Sequence, residues 1–167
     1  SLAIGLVYRQ PGHPMLPAYL DRLDGVLDAV ADRNARIAVA ARLIDGFNKV
    51  GELARSERVA ERILPVVDHP DVRPITRAWC RVWLAHLAMH RARMDDYDAM
   101  LDAARAVTQA HGLGFLEQVI DLFRTWGLLA RGRLPEAARL IAEIAARMDA
   151  SRKLDLALLH YLRSWHA

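Results

Sequence analysis

His86 and His90 stand four apart in "HLAMH". On a helix that spacing places both imidazoles on one face, one turn apart, where they can reach a single metal ion. The stretch lacks the glutamate that acts as general base in the zinc-binding helix pattern. No third ligand can be named either, and His160 and His166 do not complete the set, so neither a metal nor any other cofactor is expected. Catalysis finds no better footing. "GLG" at Gly112 to Gly114 is a helix break and not a phosphate loop, and no Ser or Cys sits in a nucleophile setting. The carboxylates Asp95 and Asp96 flank a turn, where they favour the start of a helix through its dipole. The chain is therefore expected not to be an enzyme.

Length and composition bound the remaining classes. The chain has 167 residues, 53% hydrophobic and 26% charged, which is enough apolar material for a core and argues against disorder. A formal charge of +3 suggests a basic protein, yet arginines alternate with Asp and Glu along nearly every segment. Clusters such as Arg91/Arg93 and Arg131/Arg133 sit beside turns and form no stripe that could neutralise successive phosphates, so direct nucleic-acid contact is not expected. One cysteine, Cys80, excludes an internal disulfide and suits a reducing cytoplasm, where it reads as a small buried side chain. No run approaches the length of a membrane span, and "SLAIGLVY" is too short for a signal segment.

The elements that would carry these residues are helices. Strand-type alternation is nearly absent, while the 3.6-residue apolar period fills most segments. After "RQPGHPMLP", whose prolines are expected to keep it irregular, a helix is expected over 17–31, with Leu20, Leu23, Val26, Leu27 and Val30 on one face. Others follow at about 34–49, 53–65, 74–91, 94–111, 115–131, 134–148 and from 153 onward. "VVDHPDVRP", bracketed by Pro65, Pro70 and Pro74, is the plainest linker.

The joints between these helices repeat. Aligning Gly51, Ala92 and Gly132 brings Leu53, Met94 and Leu134 together, then Val59, Met100 and Leu140, at spacings of 41 and 40 residues. A small residue allows a tight turn, and the large apolar residue two positions on is expected to anchor it. The expected fold is all-α: antiparallel helix hairpins, paired over about 34–66, 74–111 and 115–148 with partial pairs at both ends, stacked into an α-α superhelix. The whole of 1–167 reads as one helical-repeat domain. A start without Met and a stop inside an apolar pattern are expected of a fragment of a longer chain.

"GRLPEAARLI" resembles the joint of a tetratricopeptide repeat, with Gly132 at the turn and Ala137 in the small-residue place of the second helix. The period exceeds that family's usual ~34 residues, and Ser56 and Tyr97 occupy the small-residue place in the other joints, so the repeats would be degenerate. The succession of "RQPGHPMLPAYLDRLDGVLDAV", "RAWCRVWLAHLAMHRAR", "HGLGFLEQVIDLFRTWGLLARGRLPEAARLI" and "RKLDLALLHYLRSW" is similar to the helical-repeat region of large bacterial transcriptional activators, of the signal-responsive NTPase or bacterial-transcriptional-activator type. That resemblance implies a sensor or interaction module and carries over no catalytic residue.

The position six residues before each joint holds Asp45, His86 and Trp126, with Trp165 as a looser match. Equivalent positions in stacked repeats line one surface, so these residues, with Arg42, Lys49, Trp83 and His90 nearby, form a candidate ladder for a protein partner or a small effector. The competing reading makes the stripe Ile75, Ala78, Trp79, Val82, Trp83, His86, Leu87 and His90 simple core, and the chain a structural or oligomerising spacer. The expected partners are a protein or other domains of the same chain, or a small effector, with no membrane. Leu158, Tyr161, Leu162 and Trp165 would form an apolar face at the cut end through which two copies could pair.

Overall fold

The computed structural model describes residues 12–148. Among them the regular elements are all helical: α1 (Met15–Val26), a 3₁₀ turn (Leu27–Ala29), α2 (Arg33–Lys49), α3 (Leu53–Val67), α4 (Pro74–His90), α5 (Met94–Ala110), α6 (Gly114–Ala130) and α7 (Leu134–Arg147). The expectation of an all-α chain holds, and most boundaries fall within a residue or two of those read from the apolar period. The helix expected from residue 153 lies outside the described residues.

Prolines account for two departures. The irregular stretch expected through Pro17 ends early, because α1 begins at Met15 and takes Pro17 into its first turn, where backbone N–H groups have no intrahelical acceptor to lose. Pro65 does not end α3, which runs on to Val67. A proline in the last turn forfeits one hydrogen bond, here to the carbonyl of the exposed Glu61, and continuing the helix buries Val67. At its other end α1 gives way to the 3₁₀ turn, which still buries Leu27. Asp32 then caps α2, its carboxylate accepting from the Ala35 N–H at 2.7 Å. The linker after α3 is tied to the start of α2: the Asn34 side chain accepts from the Arg73 N–H at 2.8 Å and donates to the Asp71 carbonyl at 3.0 Å.

The three aligned joints share one backbone geometry. Gly51, Ala92 and Gly132 all have positive φ, at 80°, 55° and 70°. In each, the N–H of the next residue reaches the carbonyl five residues back: Glu52 to Phe47 (2.8 Å), Arg93 to Ala88 (2.9 Å) and Arg133 to Leu128 (2.9 Å). This is the Schellman closure, which satisfies carbonyls that the helix end would otherwise orphan.

The anchor of each joint is not where the alignment put it. Two residues past the joint, Leu134 is exposed and Leu53 and Met94 are only half-buried. That position is the first residue of the second helix. One turn later, five residues past the joint, Ser56, Tyr97 and Ala137 are each fully buried. The inward stripe continues at nine and twelve residues past the joint, through Ala60, Leu101 and Ile141, then Ile63, Ala104 and Ile144. Spacings of four and three are those of a helix with one packed face. First helices differ, being buried almost all round over Leu43–Asn48 in α2 and Val82–Ala88 in α4.

The chain divides into two compact units, 1–113 and 114–167. In the first, α2 pairs with α3 and α4 with α5, and α4 also packs on α2 and α3. Gly46 admits α1 closely, since a Cβ there would sit 2.6 Å from Leu20 Cδ2. The acidic side of α1 and of the 3₁₀ turn after it is not simply solvated: Asp24 meets Arg62 at 2.6 Å and Arg55 at 3.3 Å, Asp28 meets Arg62 at 2.9 Å and Arg36 at 2.7 Å, and Asp21 meets Arg55 at 2.7 Å. In the second unit, α6 and α7 pair around Leu122, Ile141 and Ile144.

Candidate functional site

The contact of α2 with α4 brings two i,i+4 pairs together. Asp45 and Lys49 lie six and two residues before their joint, and His86 and His90 occupy the same two places before theirs. Asp45 and His86 are buried, at 1% and 9% exposure, while Lys49 is partly accessible and His90 is exposed. The group thus runs from the interior to the surface.

Each pair is joined within itself. Lys49 Nζ lies 3.3 Å from Asp45 Oδ1, and the Nε2 atoms of His86 and His90 are 3.2 Å apart. Two imidazoles share such a contact only if one ring donates its proton and the other accepts, so the pair cannot be doubly charged as it stands. Burial drives the His86 pKa down to about 3, with the charges of His90 and Lys49 adding to the effect. His90 is also held below its ordinary value, chiefly by burial, against an opposing pull from Asp45. Burial likewise lowers Lys49, and Asp45 opposes that shift while Arg42 reinforces it. The four groups therefore form one electrostatic unit in which a buried carboxylate is balanced by an ammonium and faced by neutral imidazoles.

Aromatic rings extend the site along α4. Trp79 stacks on Trp83 with centroids 6.4 Å apart, Trp83 is tilted against His86 at 5.9 Å, and His86 against His90 at 4.5 Å. Of the stripe read as core, Ala78, Val82, Trp83 and Leu87 are buried, while Ile75 is exposed.

The other ladder residues stand apart. Arg42 is exposed on α2 and is felt at Lys49. Trp126 belongs to the second unit, where it is half-buried against Leu122, Ile141 and Ile144 and tilted on Phe123 at 4.6 Å. Trp165 lies outside the described residues. Sequence reasoning passed over the partnership of the carboxylates of α1 and of the 3₁₀ turn after it with Arg55 and Arg62, whose signal was Asp21, Asp24 and Asp28 at helical spacing opposite two arginines seven residues apart. It gave Ser56 only as the occupant of a joint's small-residue place and missed its hydrogen bonding: Ser56 donates from a fully buried position to the Ile44 carbonyl at 3.0 Å and lies 2.7 Å from Asn48 Oδ1.

Among the described residues no group of three or more His, Cys, Asp or Glu side chains is arranged to hold a metal ion, and no helix is long and apolar enough to cross a membrane. Asp95 and Asp96 occupy the first turn of α5, as their dipole argument requires. Comparison of the chain with family models, with curated proteins and with solved structures finds no match.

Proposed function

We propose that this chain is a non-catalytic helical-repeat module that stacks tetratricopeptide-like hairpins into a superhelix. It serves a cytoplasmic bacterial transcriptional regulator as a sensor or interaction element, binding a protein partner, other domains of its own chain or a small effector. The observation that carries the reading is the recurrence of one joint, with positive φ at Gly51, Ala92 and Gly132 and the same buried place five residues on. Repeated hairpins of this kind present equivalent side chains at equivalent places. Here such places hold Lys49 and His90, the more accessible members of a polar cluster. Binding there would act by favouring one arrangement of the regulator over another, which requires different affinities for the two.

The burial of Asp45 and His86 favours a second reading, a structural or oligomerising spacer whose polar cluster serves packing alone. Arg42→Ala and His90→Ala discriminate between the two, because both side chains are exposed. Under the first reading they abolish capture of a partner, or the thermal-shift response to an effector, with melting temperature nearly unchanged. Empty pull-downs and a flat effector screen with the unsubstituted protein would leave the spacer reading in possession.

A further inference from the structure

We infer that His86 and His90 form a two-imidazole site for a divalent transition-metal ion of the zinc type, open to solvent on the His90 side. The inference deepens the effector reading above, on which it rests only for what binding would mean to the module; uptake of the ion is measurable by itself.

Geometry carries it. Two nitrogens each about 2.05 Å from a tetrahedral zinc ion lie about 3.3 Å apart. The two Nε2 atoms are 3.2 Å apart. The rings sit one turn apart on a single helix, and His86 is buried against Trp83, so little side-chain freedom is lost when an ion arrives. In the metal-free pair one Nε2 carries the proton shared with the other. An ion taking both lone pairs requires that ring to hold its proton on Nδ1 instead, an exchange that the exposed His90 can make through water.

The surroundings suit a cation better than two histidines beside a lysine would suggest. The ammonium of Lys49 opposes it, but Asp45 lies 3.3 Å from that ammonium and offsets its charge. Metal ligation needs neutral imidazole, and two rings held in an Nε2–Nε2 contact of 3.2 Å cannot both be protonated. Since no third His, Cys, Asp or Glu completes a set among the described residues, water fills the other positions. That is the arrangement of a site able to accept a further ligand.

Zinc chloride titrated into the purified chain at pH 7, in a non-chelating buffer and followed by calorimetry, tests this. The expected result is one ion per chain, bound at least about tenfold more weakly by His90→Ala, since loss of a ligand costs no less than loss of an outer-shell partner. His69→Ala, which removes a half-exposed histidine in the linker after α3, should bind as the unsubstituted chain does. Circular dichroism confirms that His90→Ala keeps its helices, which its exposure leads one to expect. Absence of uptake, or equal affinity in His90→Ala, overturns the proposal. Zinc uptake that leaves partner capture unchanged would uphold the site and count against the effector reading alone.

Discussion

Ala92 holds a φ of 55° at a place where Gly51 and Gly132 hold 80° and 70°. An L residue in that region costs about 1–2 kcal/mol, part of which glycine gives back through its more flexible unfolded chain. Ala92→Gly should therefore raise stability by up to about 1 kcal/mol in urea titrations. Gly51→Ala and Gly132→Ala should each lower it by about the same amount. The loss would be purely conformational, because a Cβ at either glycine meets nothing within 4 Å. His86 gives a second prediction at this scale. Its folded pKa, about 3, is far below the ordinary 6.5, so the unfolded chain takes up the proton first and stability falls with acidification. The loss begins near pH 6.5 and approaches a slope of about 1.4 kcal/mol per pH unit for one proton. Glu57 and Glu136 are held below the usual 4.5 by Arg91 and Arg133, so between pH 6.5 and 5 the histidines dominate. His90 and Lys49 act on His86 directly, Asp45 acts on His90 and Lys49, and Arg42 acts on Lys49. Melting temperatures between pH 7 and 5 should fall for the unsubstituted chain and flatten in His86→Gln.

Helices and their joints were legible because an apolar period of 3.6, punctuated by Gly51, Ala92 and Gly132, has few other solutions. Which residues of the second helices face inward was not. Met100 and Leu140 are as apolar as their buried neighbours Leu101 and Ile141, and only packing against a first helix decides between adjacent places. The association of Asp45 with His86 was legible through their equal distance from the joints, but their depth was not, because burial of a carboxylate depends on an ammonium one turn away. Two element-level predictions follow from the packing found. Tyr97→Ala empties the largest fully buried side chain and should cost about 3–5 kcal/mol, whereas Trp126→Ala, at a half-buried place, should cost less. Asp24→Ala removes the carboxylate shared by Arg55 and Arg62. It should cost about 1 kcal/mol or more, above the usual worth of an exposed pair, because one acceptor serves two guanidinium groups from α3.

At the scale of the molecule, helices adjacent in sequence are paired in space within each unit among the described residues, so the loops to be closed are short and folding should be fast. Opening of such a chain is open to measurement without adding a probe. Cys80 is its one cysteine, fully buried in α4 with its thiol pushed up to about 12 by burial. A thiol in that state does not react. An aromatic disulfide reagent should find no reactive group in the folded protein and one after denaturation. The rate at which the native protein loses its thiol then reports how often α4 is laid bare, a built-in clock for the first unit, and a cysteine introduced on any exposed face can carry a label without removal of the native one.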